Sequence, residues 1–270
     1  MEWSDEAAAA VARVPFFVRK RVRKKVEEEA RQQGCDRVVM AHVKSAQARY
    51  MGNMEAELKG YQVESCFGPS GCPNRLGEDD RLAARIEEYL ASLDLKAFLK
   101  ERVAGPLKMH HEFRVSISDC PNGCSRPQIV DVGFLGACQP GLTEEPCSRC
   151  NACVESCRED AIFLADGCCP VIDFDKCLGC GHCLRVCPTG TLAEAVRGYR
   201  IQVGGKLGRH PQLGRELPGI FPADQALAVL KRCLDLYLAH FQGKGRFGDI
   251  VNRVGCDGLL KSQPAGAKPA

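Results

Sequence analysis

Cys147-Ser-Arg-Cys150-Asn-Ala-Cys153-Val-Glu-Ser-Cys157 and Cys177-Leu-Gly-Cys180-Gly-His-Cys183-Leu-Arg-Val-Cys187-Pro188 decide how the middle of this chain is built. Three thiolates at two-residue intervals wrap one side of an iron-sulfur cubane, and the fourth, three residues further on, reaches the neighbouring cluster. The spacing therefore assigns Cys147, Cys150, Cys153 and Cys187 to one [4Fe-4S] cluster and Cys177, Cys180, Cys183 and Cys157 to another. CxxC pairs also suit tetrahedral zinc, but a run of three plus one, written twice, is the iron-sulfur pattern. Arg158 stands where the first run would more often carry proline, which alters the turn and not the ligand set.

Outward from this doublet lies a different cysteine set, in Cys66-Phe-Gly-Pro-Ser-Gly-Cys72-Pro-Asn and Ser118-Asp-Cys120-Pro-Asn-Gly-Cys124-Ser-Arg-Pro. Proline, Asn-Gly and small residues force turns whose amides can face cluster sulfurs, so that two distant pairs can tie two parts of a sheet together. Tyr61 to Phe67 reads as a strand entering the first pair, and residues 78–93 as an amphipathic helix with Leu82, Ile86, Leu90 and Leu93 on one side. Leu107, Met109, His111, Phe113, Val115 and Ile117 alternate, which predicts a half-buried strand delivering Cys120, with His111 as a core histidine and His110 facing the other way. Gln128 to Phe134 reads as a further strand. Tyr199, Ile201 and Val203 restart the sheet beyond the doublet, before the glycine-rich turn Gly204-Gly-Lys-Leu-Gly-Arg-His-Pro211. A last helix over about 223–241 turns Leu227, Leu230, Leu234, Leu238 and Phe241 inward.

The chain has 270 residues, 18 cysteines and a formal net charge of +3, too small to argue for nucleic acid. Its start lacks a basic region followed by an apolar core, and no apolar run approaches the ~20 residues that cross a bilayer. A reducing cytoplasm without membrane contact is the expectation. Cys35, Cys138, Cys168, Cys169, Cys233 and Cys256 have no readable partner spacing and are expected as small buried hydrophobes, with Cys168-Cys169 the pair to watch. Residues 1–56 read as helices: Ser4 as N-cap, Pro15 as punctuation, then Val18, Val22, Val26 and Ala30 on one face, ending near Gly34. The block from Arg19 to Lys25 followed by Glu27-Glu28-Glu29 is expected as a solvated face.

Two resemblances extend this reading. Cys66-x5-Cys72, Arg114-Val-Ser-Ile-Ser-Asp-Cys120-Pro-Asn-Gly-Cys124, Asp131-Val-Gly-Phe134 and Val203-Gly-Gly-Lys-Leu-Gly-Arg209 resemble the siroheme and [4Fe-4S] domain of sulfite and nitrite reductases, of the dissimilatory and anaerobic type that carries an inserted ferredoxin. That resemblance implies that Cys66, Cys72, Cys120 and Cys124 hold a third cluster, with Cys124 bridging to the siroheme iron. It makes Cys124, Lys206 and Arg209 the catalytic candidates and Arg114, Lys206 and Arg209 cofactor-binding, with Lys108 and Arg126 as further cations for siroheme carboxylates and an anionic substrate. The N-terminal text Trp3-x2-Glu6-Ala7, Val14-Pro15-x-Phe17-Val18-Arg19, Val22-Arg23 and Val26-Glu27 resembles the small C-terminal helical domain of light-independent protochlorophyllide reductase, which lies near a tetrapyrrole.

Together these imply an α+β protein: a helical domain at 1–56, a sulfite reductase-like half-domain at 57–138 and 197–270, and a two-cluster ferredoxin domain at 139–196. The implied function is siroheme-dependent reduction of sulfite or nitrite. A donor protein or ferredoxin would supply electrons through the ferredoxin-type clusters. Full reductases seat siroheme between two related half-domains and this chain carries one. A homodimer could supply the other half, the helical domain could cover the macrocycle, or siroheme could be absent. The alternatives are a three-cluster electron carrier without siroheme and a tetrapyrrole-binding protein.

Overall fold

The computed structural model describes residues 1–77, 79–165 and 169–260, so Cys168 lies outside the described residues. The chain divides into two compact units, one of residues 1–58 with 104–110 and a larger one formed by the rest.

In the smaller unit, β1 (Glu2–Trp3) is followed by α1 (Asp5–Ala12), α2 (Phe16–Gln32), β2 (Arg37–Val38) and α3 (Met40–Glu57). Ser4 caps α1, its hydroxyl accepting from the Ala7 amide at 3.3 Å. Helices alone do not describe the unit, because β1 and β2 pair in parallel. Ala7, Val26, Ala30 and Val38 form its core, with Trp3, Val22, Cys35, Val43 and Ala46 packed around them. Nor is the charged block of α2 wholly solvated. The Arg19 guanidinium donates to the Val14 carbonyl at 2.9 Å, Arg23 sits over the Trp3 ring at 4.6 Å, and the Trp3 indole donates to Glu27 at 3.0 Å. Glu29 is buried, taking the Ser45 hydroxyl at 2.7 Å and the Arg49 guanidinium at 3.0 Å.

The larger unit is built on one mixed sheet. Its strands β3 (Tyr61–Ser65) and β4 (Phe113–Ser118) are joined through α4 (Leu82–Ala91) and α5 (Leu95–Arg102) and run parallel, as they must after a helical crossover. Next come β5 (Val132–Leu142), α6 (Ala152–Ser156), β6 (Ile162–Ala165), β7 (Cys169–Ile172), α7 (His182–Val186) and β8 (Leu192–Val203). After β8 come β9 (Arg215–Glu216), α8 (Ala223–His240) and α9 (Phe247–Val254). The sheet order is β3-β4-β5-β8-β9, parallel as far as β5 and antiparallel from there, while β6 and β7 form a separate hairpin.

Several expectations are corrected here. The strand entering Cys120 begins at Phe113, not Leu107: Met109–His111 make a 3-10 turn, Met109 is exposed and His111 is half-buried rather than a core residue. Pro127–Ile129 likewise form a 3-10 turn, so β5 starts at Val132, not Gln128. On α8 the buried stripe runs through Ala226, Val229, Leu230, Cys233, Leu234 and Tyr237, leaving Leu227 and Leu238 half-exposed. On that inward face Tyr237 packs in tilted ring contacts with Phe113 (5.1 Å) and Phe241 (4.9 Å). Such aromatic pairs add about 0.5–1.5 kcal/mol each beyond area burial. Of the unassigned cysteines, Cys138 and Cys233 are buried, Cys35 and Cys256 half-buried, and Cys169 is exposed, contrary to expectation. Among the described residues no helix is long and apolar enough to cross a membrane.

Candidate metal centres and their surroundings

Because β3 and β4 are parallel, their C-terminal ends share one edge of the sheet, with Ser65 opposite Ile117. Cys66 and Cys120 leave that edge together. The Asp119 amide donates to Cys66 Sγ at 3.3 Å and the Gly68 amide to the same sulfur at 3.4 Å, the pattern expected where a thiolate's charge is spread onto amides. Gly68–Ser70 turn the chain toward Cys72. The Pro121-Asn122 turn closes with the Gly123 amide on the Cys120 carbonyl at 3.3 Å, and the Asn122 side chain donates to Cys124 Sγ at 3.0 Å. Burial pushes the Cys120 thiol up, and the nearby sulfurs of Cys124, Cys72 and Cys66 push the same way against the bond from the Asn122 amide. The thiols of Cys66, Cys72 and Cys124, from two loops, thus lie within electrostatic reach of that of Cys120, and Cys124 is exposed.

Asp119 holds this corner together. Its carbonyl accepts the Leu76 amide at 2.7 Å and the Gly77 amide at 3.2 Å, and its buried carboxylate faces Arg75 at 3.3 Å. Gly136 of β5 lies so close that a Cβ would run into the Asp119 carbonyl oxygen. Burial pushes the Asp119 carboxyl up, with Arg75 opposing.

The doublet forms two recesses. Cys147, Cys150, Cys153 and Cys187 ring one, together with Leu164, Pro170 and Leu192. Cys157, Cys177, Cys180 and Cys183 ring the other, with Pro140, Ala161 and Ile162. Each helix, α6 and α7, starts after a residue with positive φ, Asn151 (61°) and Gly181 (68°), which turns the chain between the second and third cysteines. Amides again face sulfurs: Arg149 to Cys147 at 3.4 Å, Ala161 to Cys157 at 3.3 Å, Leu192 to Cys187 at 3.5 Å. Burial pushes the Cys183 thiol up to about 12, helped by Cys177 and Cys180, and also raises Cys153 and Cys177. Buried thiols crowded in this way ionise only with cations among them. Among the described residues no three His, Cys, Asp or Glu side chains gather tightly enough to hold a single metal ion.

The expected cations are distributed unevenly. Lys206 is spent on Asp249, which it meets in a short ion pair. Arg114 and Arg126 share Glu64, at 3.4 and 3.9 Å, and Arg114 Nε is buried without a hydrogen-bond partner. Lys108 belongs to the smaller unit. Arg209 is exposed at the tip of a hairpin closed by reciprocal amide–carbonyl bonds of 3.0 Å between Lys206 and Gln212. Sequence reading missed Gln128. Its carbonyl accepts the Gly214 amide at 2.7 Å, and a Cβ on Gly205 would collide with the same oxygen. Its side chain also packs on Gly123, so Gln128 joins the glycine-rich hairpin to the Cys120–Cys124 turn. Glycine at 205 is what allows that approach.

Comparison with known proteins places these features. Residues 61–263 match the family model described as the nitrite and sulphite reductase 4Fe-4S domain. Residues 3–47 match that of the proto-chlorophyllide reductase 57 kD subunit. The chain is 32% identical over 199 residues to the coenzyme F420-dependent sulfite reductase of Methanocaldococcus jannaschii, covering 73% of this chain and 30% of that protein. It is 28% identical over 105 residues to one of the proteins that make up the anaerobic sulfite reductase of Salmonella typhimurium, covering 39% of this chain and 26% of that protein. The crystal structure of dissimilatory sulfite reductase I superposes with a TM-score of 0.51 at 20% identity, over 77% of this chain and 55% of the other. The chain thus spans less than a third of the length of the two curated relatives.

Proposed function

The chain belongs to the nitrite and sulphite reductase 4Fe-4S family, and from that premise we propose that it is the iron-sulfur, siroheme-binding part of a sulfite- or nitrite-reducing oxidoreductase. Cys66, Cys72, Cys120 and Cys124 would hold one [4Fe-4S] cluster, and the two recesses of the doublet one each. The observation that carries the reading is that the loops leaving the shared end of β3 and β4 bring Cys66, Cys72 and Cys124 within electrostatic reach of Cys120, with Cys124 exposed. Siroheme, when bound there, supplies an iron with an open face for a small anion and delocalised electrons for a multi-electron reduction. Arg126, the Nε of Arg114 and the exposed Arg209 are suited to its carboxylates and to the anion, because guanidinium groups pair with carboxylates and oxyanions in fixed geometry. Lys206 acts through Asp249 instead: their ion pair fixes the base of the hairpin that carries Arg209.

Further protein beyond the residues given, or a second copy of this chain, would complete the site, a reading supported by the fraction of its relatives that the chain spans. A donor protein would supply electrons at the ferredoxin-type clusters. The test is an optical spectrum and anaerobic turnover with reduced methyl viologen. Native protein should show siroheme bands and reduce sulfite or nitrite. Cys124→Ser should retain the clusters of the doublet and lose turnover to near background, and Arg209→Ala should raise KM more than it lowers kcat. Absence of siroheme bands after reconstitution, with iron at full level, would leave the electron-carrier reading in its place.

A further inference from the structure

Two of the three thiol sets are held side by side by bonds that involve none of their sulfurs. Cys138, in β5, donates its amide to the Gly179 carbonyl at 2.8 Å and bridges to Cys180. Gly181 backs onto Leu76, where an added Cβ would sit 3.4 Å from Cδ2, and Leu76 is itself bonded to the Asp119 carbonyl. From α7, the Arg185 guanidinium donates to the carbonyl of Pro73, the residue after Cys72, at 2.9 Å. From β8, Arg200 donates to the carbonyl of Leu178, the residue after Cys177, at 3.1 Å. The loop carrying Cys177, Cys180 and Cys183 is thereby fastened to both the Cys66–Cys72 loop and the Asp119–Cys120 corner. The recess of Cys147, Cys150, Cys153 and Cys187 differs, since residues 147–192 alone line it.

We propose that Arg185 is a positioning residue that clamps the Cys157, Cys177, Cys180 and Cys183 site against the Cys66, Cys72, Cys120 and Cys124 site, making the former the inner of the two ferredoxin-type sites and the Cys147 site the outer one. The inference rests on the reading that these thiols hold [4Fe-4S] clusters. The exchange it serves is of single electrons: the inner site is oxidised by one electron as the neighbouring site is reduced by one, with no bond or proton moved, and a low-potential one-electron donor protein replenishes the outer site. Arg185 is exposed and its partner is a backbone carbonyl, so its truncation removes a tether without opening the core.

The test is electron paramagnetic resonance of the full-length, anaerobically purified and dithionite-reduced protein, with iron counted on each sample. In the wild type the signal of the Cys66/Cys72/Cys120/Cys124 cluster should be broadened and fast-relaxing through a paramagnetic neighbour. Cys180→Ser should lose about four irons and remove the part of that broadening and fast relaxation that comes from the ferredoxin-type neighbour. Cys150→Ser should also lose about four irons but leave the interaction in place. Arg185→Ala should keep its iron and weaken the interaction, and Arg185→Lys should restore part of it. The inference is overturned if Cys150→Ser is the variant that removes the interaction, or if Arg185→Ala leaves it at wild-type strength. A wild type without iron would sink the cluster reading itself; full iron with no interaction would sink only this inference.

Discussion

Among single residues, Asp131 joins several elements. It is 1% exposed, and its Oδ2 accepts the Arg246 guanidinium at 2.6 Å and the Arg114 amide at 2.8 Å. Arg246 is the N-cap of α9, where Asp249 accepts its amide at 2.7 Å, and Asp249 also holds Lys206. One carboxylate thus ties β4, β5 and α9 to the base of the glycine-rich hairpin, whose Gly204 amide donates to the Asp131 carbonyl at 2.8 Å. Removing one partner of a buried pair leaves the other charge uncompensated and costs about 3–5 kcal/mol. Asp131→Asn should therefore lower the urea midpoint of the cluster-loaded protein by a corresponding amount without changing its iron content. The sequence marks Asp131 only within a family string, because its partner lies 115 positions away. Lys206 shows the converse. Its glycine-rich setting suggests an anion ligand, yet an aspartate brought in by a distant helix takes the charge.

At the scale of elements, the cysteine loops are legible because spacing itself encodes a turn. The strand ends are not, because period-two alternation continues into neighbouring turns. Leu107 to His111 alternates as well as Phe113 to Ile117 does, but only the latter pairs with β3. Strand β5 runs on past Pro140 to Leu142, with a register shift at Gln139/Pro140 that absorbs the missing amide. Close approach of β5 to the Asp119 corner sets a sharp requirement at Gly136. Gly136→Ala should push the strand from the Asp119 carbonyl, weaken the Leu76 and Gly77 bonds, and destabilise by about 1–3 kcal/mol. Denaturant unfolding measures the cost. The signal of the Cys66/Cys72/Cys120/Cys124 cluster should change at the same time, and an unchanged signal would show that the corner does not depend on the contact.

For the molecule as a whole, the two units can be followed separately. Trp3 is the single tryptophan of the chain and lies in the smaller unit, so its emission reports that unit alone. There the Ser45 hydroxyl, with Gln33 and Arg49, holds the Glu29 carboxyl below its usual value of 4.5. A carboxyl lowered on folding stabilises above its unfolded pKa, and that contribution is lost as pH falls through the folded value. Trp3 emission should therefore shift to the red on acidification below about 4.5, and Glu29→Gln should flatten that dependence. The larger unit has its own separable part. Leu142 pairs with Leu192 at the tip of the β5–β8 ladder, so the segment between them leaves and rejoins the sheet at adjacent positions. Such a junction is a graft point: covalently, whatever is spliced there must satisfy the spacing of one strand pair, while its contacts with Pro73, Leu76 and Cys138 set how it sits on the sheet. Replacing residues 143–191 with a tight Asn-Gly turn should give a shortened protein that keeps the sheet and binds about four irons. The same stem would accept a different electron-carrying module, joined by two peptide bonds.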